Sequence, residues 1–120
     1  MTELRDRVGK ILAKVATSKG VADAIIATRD GLTALGELRS AGDDGTVAAM
    51  AAAAFAAVET AGLEVGAGPM AHLHASCSGR ELLVAGLDDQ YILIVVAERG
   101  GNALKALEHA QSDLQTALAG

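Results

Sequence analysis

Hydrophobic positions recur along this chain with three different spacings, and each spacing marks a kind of element. Leu4, Val8, Ile11, Leu12 and Val15 return at helical intervals with charges between them, Thr2 standing as N-cap and Lys19-Gly20 as the stop. Val21 to Arg29, rich in Val, Ile and Ala, reads as a strand. Asp30-Gly31 offers a two-residue type I′ turn, and Leu32 to Leu38 returns as a second strand. After the Gly/Asp-rich segment 41–45 comes an alanine-rich helix, ended by Gly62, Gly66, Gly68 and Pro69. Met70 to Ser78 alternates, with Ala71, Leu73, Ala75 and Cys77 to one side and His72, His74 and Ser76 to the other. Ser78-Gly79 turns into a strand over Glu81 to Leu87, and Asp88-Asp89 turns again into Tyr91 to Ala97. That last run is apolar throughout, which places it centrally in a sheet covered on both faces. Gly100-Gly101-Asn102 opens a final helix carrying Leu104, Leu107, Leu114 and Leu118 on one side. The predicted order is α-β-β-α-β-β-β-α over a single domain spanning 1–120. The fold class is α+β, a five-stranded antiparallel sheet with helices on both faces.

The alanine helix is the most informative segment. From Thr46 to Val58 it holds no charged or strongly polar side chain. On a helical wheel Val47, Met50, Ala51, Ala54, Val58 and Ala61 form one apolar stripe, expected to lie on the sheet. The opposite face carries Ala49, Ala52, Ala53, Ala56 and Leu63, where a surface helix would place Lys and Glu. A helix that is apolar all round needs cover on both sides. One small domain supplies only one cover, so the sequence predicts a partner, and alanine lets a second backbone approach closely.

The composition narrows the function classes. Half of the 120 residues are hydrophobic, enough for a core, and that core must be aliphatic because Phe55 and Tyr91 are the only Phe, Tyr or Trp. A net charge of −5, with basic residues dispersed among acidic ones, argues against nucleic-acid binding. A lone Cys77 permits no internal disulfide. The charged N-terminal segment is no signal peptide. The uncharged run is short and rich in alanine, whereas a membrane span takes roughly 20 strongly apolar residues. A cytoplasmic protein without membrane insertion is the expectation.

Candidate chemistry is sparse. Gly66 to Ala71 satisfies G-x-G-x-x-A, but a helix precedes it, a strand follows it and Pro69 removes an amide that phosphate would need. Gly9-Lys10 is followed by Ile11 inside a helix, so there is no P-loop. His72 and His74 lie on one strand face, about 7 Å apart. A metal site needs three or four ligands. Cys77 points the other way and His109 belongs to the last helix, so no metal and no cofactor are expected. Nothing sets a base against Ser76 or Cys77, and Cys77 reads as a small buried hydrophobe. Asp43, Asp44 and Glu37 are explained by a solvated loop and helix capping. No catalytic residue is assigned.

The stretch Gly20-Val21-Ala22-Asp23-Ala24-Ile25-Ile26-Ala27-Thr28-Arg29-Asp30-Gly31-Leu32 resembles the opening of the roadblock (dynein light chain) family: a glycine, a hydrophobic strand, then Asp-Gly-Leu at the turn. The alanine helix, the Gly-Pro before the third strand and the apolar fifth strand resemble it too. The second strand, Thr33 to Glu37, departs from the more apolar or small-residue run common in the family. The resemblance implies a roadblock/profilin-like fold and a homodimer whose third strands join one sheet with the central helices side by side. It also implies a role beside Ras-like small GTPases as activator, co-activator or scaffold. The expected dimer interface is Ala49, Ala52, Ala53, Ala56, His72, His74 and Ser76. The expected GTPase-binding residues are Asp43, Asp44, Thr46, Glu59 and Leu63. The competing reading is a ligand-sensing module of PAS or GAF type, which the shortage of aromatic residues disfavours.

Overall fold

The computed structural model describes residues 2–39 and 42–120; Ala41 of the expected loop lies outside them. Helix α1 (Thr2–Ala16) leads into β1 (Val21–Thr28) and β2 (Thr33–Leu35). Helix α2 (Asp44–Glu64) then precedes β3 (His72–Ser76), β4 (Arg80–Gly86), β5 (Tyr91–Glu98) and α3 (Ala103–Ala119). The strands form one sheet in the order β2-β1-β5-β4-β3, every pairing antiparallel. The uninterrupted apolar run of β5 lies at its centre, between β1 and β4, with Ile92, Leu93, Ile94 and Val95 fully buried.

Alternation along the strands divides the interior into two cores. Ala24, Ile26, Leu83, Ala85, Leu93, Val95 and Ala97 turn towards α1 and α3, meeting Val8, Leu12, Val15, Leu107, Ala110 and Leu114. Ile25, Ala27, Val84, Ile92 and Ile94 turn the other way, towards Ala48, Ala51, Ala52 and Phe55 of α2. Two amphipathic helices thus cover one face of the sheet and a single alanine-rich helix covers the other. In α3 the small Ala103, Ala110 and Ala117 share the inward stripe with Leu107 and Leu114, while Leu104, expected inside, is exposed.

Three local expectations need correction. The helix α1 already includes Thr2, which was expected to cap it from outside. The second strand is only three residues long and ends at Leu35, before Gly36 at positive φ. The turn at Asp30-Gly31 is not type I′, which would need positive φ at both residues, and only Gly31 has it. Instead the Gly31 N–H donates to the Thr28 carbonyl at 3.0 Å and the Thr28 N–H to the Leu32 carbonyl at 2.8 Å. This is a three-residue connection with a left-handed Gly at its end; the register shift lies further along the pair, where Ala27 faces Thr33 but Ile26 faces Leu35 and Ala34 is the extra residue.

Candidate interaction site on the central helix and the open sheet edge

The N-terminus of α2 is fixed by two acids. Asp43 caps it from extended backbone, its carboxylate accepting from the Thr46 N–H at 2.9 Å and the Thr46 hydroxyl at 2.8 Å. The backbone bond, then the hydroxyl bond, holds the Asp43 carboxyl below its ordinary pKa. Asp44 accepts from the Leu38 N–H at 2.8 Å, which ties the segment after β2 to the helix.

Phe55 decides which way the helix faces. It is the largest fully buried side chain of the chain, and with Ala48, Ala51 and Ala52 it defines the sheet-facing stripe. This stripe is rotated by one residue from the one the sequence suggested, because alanine on every side leaves a helical wheel without contrast. Ala52, expected at a subunit interface, is therefore in the core of its own subunit, only 5% exposed. Met50, Ala54, Val58 and Ala61, expected on the sheet, face outwards together with Ala49, Ala53, Ala56 and Ala57. Between Thr46 and Leu63 the outward surface holds Thr60 as its one polar residue. Met50 at 68%, Val58 at 44%, Leu63 at 55% and Val65 at 80% exposure make it an apolar surface.

The C-terminal half of α2 is clamped by Arg29. Its guanidinium lies 5.4 Å from the centroid of the Phe55 ring, sits 3.6 Å from Glu59 and donates through Nε to the Asp88 carbonyl at 2.7 Å. Gly86 makes room for it, since a Cβ there would stand 2.9 Å from the guanidinium. Glu59 also accepts from the Met70 N–H at 3.1 Å. Glu59, expected as an exposed docking acid, is thus partly buried and engaged inside the subunit. The expected docking residues also do not form one patch within a subunit: Thr46 and Glu59 are separated by about 20 Å of helix at roughly 1.5 Å per residue.

Strand β3 is one edge of the sheet, the three-residue β2 being the other. The Cys77 N–H donates to the Arg80 carbonyl at 3.0 Å and the Gly86 N–H to the Ala71 carbonyl at 3.2 Å. In an antiparallel ladder these bonds fix the parity: odd-numbered residues of β3 bond to β4, and His72, His74 and Ser76 turn their backbone groups to the edge. Their side chains share the α1/α3 face with Leu83 and Ala85, as the cross-strand pairs His74–Leu83 and His72–Ala85 require. His74 Nε2 is 2.9 Å from Glu81 Oε1. Cys77, expected to be buried, is exposed at the end of this strand.

The Roadblock/LC7 domain model matches residues 7–97. The chain belongs to this family. Its fold is similar to a Roadblock/LC7 domain from Streptomyces avermitilis, at a TM-score of 0.80 and 16% identity over 93% of this chain and 98% of that one. It is similar to the gliding protein MglB of Thermus thermophilus at a TM-score of 0.85 and 16% identity, covering 95% of this chain and 90% of that chain. MglB of Myxococcus xanthus aligns at 0.76 and 15% identity over 93% and 94%. No curated protein matches this sequence.

Two further features of this roadblock domain escaped sequence reasoning. Asp23, in the middle of β1, is buried and accepts from the Arg39 N–H at 2.9 Å, with the Arg39 Nε 3.7 Å away. It pins the segment after β2 to the sheet, and the signal was a carboxylate inside an otherwise apolar strand. A groove of about 600 Å³ opens between α1, β2, the start of β5 and the end of α3, lined by Val8, Ile26, Leu35, Tyr91 and Leu118 with Arg5 at its rim. Among the described residues of one chain, no three His, Cys, Asp or Glu side chains come together as a metal site. Helix α2, longer than its uncharged core, is long and apolar enough by length and composition to cross a membrane; in this fold it lies on the sheet through Phe55.

Proposed function

We propose that this chain is a non-enzymatic homodimer, cytoplasmic, that regulates or recruits a Ras-like small GTPase. The observation that carries the dimer is the outward face of α2, which its own fold leaves uncovered along Ala49, Met50, Ala53, Ala56, Ala57 and Val58. The open edge of β3 supports a second contact, with the outward backbone groups of His72, His74 and Ser76 continuing the sheet into a partner. The GTPase client rests on the roadblock resemblance. Its docking surface is the exposed ends of the two α2 helices near the two-fold axis, with Asp43, Asp44 and Thr46 at one terminus and Leu63 at the other. Leu63 supplies apolar anchoring and the acids mainly tune association rate. Glu59 is left to its clamp with Arg29.

Light scattering at micromolar concentration tests the dimer: a mass of two chains supports it and a single-chain mass refutes it. Pull-down of purified Ras-like GTPases in both nucleotide states, with phosphate release followed separately, tests the client. Binding with no phosphate release by the isolated chain is the expected result. The sensor reading would use the groove beside Tyr91, and a metabolite that raises the melting temperature, with Val8→Trp filling the groove and abolishing the shift, would favour it.

A further inference from the structure

The geometry points to a ligand site in the groove beside Tyr91 that takes a monomeric, single-chain aliphatic acid; it rests on the groove alone and needs neither the dimer nor the GTPase. The fold explains why the groove exists. Strand β2 is three residues long, carries Ala34 as an extra residue, and leaves the sheet at Gly36 with positive φ. The sheet beside α1 is therefore incompletely covered, and Ala34, Leu35 and Tyr91 remain only partly buried. Ile26, Leu35 and Tyr91 line the groove from the sheet, Leu4 and Val8 from α1, and Leu118 from α3. Its volume of about 600 Å³ falls within the roughly 300–1,000 Å³ of small-molecule sites.

The lining sets the class of ligand. Most of it is aliphatic and Tyr91 is its one aromatic ring, so it gains from burying methylene groups and offers little to a flat ligand that stacks. Its polar side chains are confined to Arg5, in the first turns of α1, and to Asp88, Gln90 and Tyr91 around the turn into β5. Asp88 is spent on that turn: its Oδ1 accepts from the Gln90 and Tyr91 N–H groups at 2.9 and 2.8 Å, and its carbonyl accepts from Arg29. Arg5 is exposed and has no charged partner among the described residues; the neighbouring acids Glu3 and Asp6 do not line the groove. A ligand that is polar at one end only, and anionic there, answers this arrangement, with its tail against Leu4, Val8, Leu35 and Leu118 and its carboxylate at Arg5. The groove belongs to the α1/α3 side of the sheet, so such an acid and a client on α2 occupy opposite faces.

The test is calorimetry and thermal melting of the full chain with straight-chain carboxylates of increasing length, each below its micellar concentration, beside alcohols and trimethylammonium ions of the same lengths. Affinity should rise by up to about fourfold per added methylene and level off once the chain fills the groove. The melting temperature should rise with ligand concentration. Arg5→Gln should weaken carboxylates by about two- to fivefold, the range of an exposed ion pair, and leave alcohols unchanged. Arg5→Glu should turn the preference towards the ammonium series. Ala34→Trp, which fills the groove, should abolish binding of every long chain. A carboxylate with a photoreactive diazirine in its tail locates the site without any substitution, and its label should fall on α1, β2 or the end of α3. A label on the exposed apolar face of α2, or binding that survives Ala34→Trp in a folded chain, overturns the site. Affinity without chain-length dependence overturns it too, as does binding to phosphatidylglycerol vesicles with none to monomeric acids. Equal affinity for carboxylate, alcohol and ammonium overturns the anionic assignment.

Discussion

The two faces of the sheet are finished to different degrees. On one, α1 and α3 pack against each other and against β1, β4 and β5, and both turn charged residues such as Arg7, Lys10, Lys105 and Glu108 to solvent. On the other, α2 covers the sheet alone, with a stripe of three alanines and one Phe inside and an alanine surface outside. The first face is self-sufficient. The second has a thin core and an unfinished exterior, the pattern of an element whose other side is completed by a second molecule.

The comparison breaks first at Phe55. Because the other fully buried residues of α2 are alanines and Val47 is only partly buried, this ring is the largest side chain that α2 places against the sheet, and Arg29 rests on it. Phe55→Ala should cost about 3–5 kcal/mol in denaturant unfolding, the range for removing a buried aromatic ring. Leu107→Ala on the opposite face, where neighbouring Leu and Val side chains can close in, should cost less. Equal losses would mean that the α2 core is not the thinner of the two.

Next comes the outside of the same helix. Ala53 is exposed in the single chain, so Ala53→Arg should leave the subunit folded while forcing an unpaired charge into the proposed helix contact. The expected change is a dimer dissociation constant raised by about a hundredfold or more, read by light scattering at several concentrations. Lys105→Glu, on the finished face, should leave the mass unchanged. A dimer that survives Ala53→Arg removes α2 from the interface.

A smaller effect is expected at Asp23, which belongs to the joint between the faces. Asp23→Ala strips the Arg39 N–H of its acceptor and should cost about 1–3 kcal/mol, whereas Asp23→Asn keeps an acceptor oxygen and should cost less. Denaturant midpoints of the two variants check the order.

What the sequence revealed about these faces follows from contrast. The period-2 and period-3.6 patterns set large apolar against charged residues, so the element order, the central place of Tyr91 to Ala97 and the stripe Val8, Leu12, Val15 could be read directly. The two-sided apolar character of α2 could be read too. Its orientation could not, because a wheel of alanines has no preferred side and one Phe decided it through tertiary packing. Glu59 and Asp23 were opaque for a related reason: their partners Arg29, Met70 and Arg39 lie far away in sequence, and only the fold brings them near. Glu81 was overlooked beside His74 because the two meet only once β3 and β4 are in register.

The smallest expected effect separates capping from docking at the start of α2, and it again sets one face against the other. The N-terminus of α2 carries the Asp43 cap, whereas Asn102 before α3 makes no side-chain cap bond. Asp43→Ala should therefore lower the melting temperature by a few degrees, and Asn102→Ala by less. The pH dependence has a definite sign. The folded carboxyl titrates below its ordinary value of 3.8, so the unfolded chain binds the proton more readily and the capping stabilisation is fully present above that value. It fades as pH falls through 3.8 and on through the lowered folded pKa. Asp43→Asn keeps a capping oxygen but cannot titrate, so its melting temperature should fall less steeply than the wild type's across that acid range. The same variant bears on the client: at neutral pH it preserves the cap and removes the charge. If GTPase capture slows with Asp43→Asn at an unchanged melting temperature and dimer mass, the acid takes part in docking. If capture changes only with Asp43→Ala, the acid serves the helix, and the docking surface moves along α2 towards Leu63.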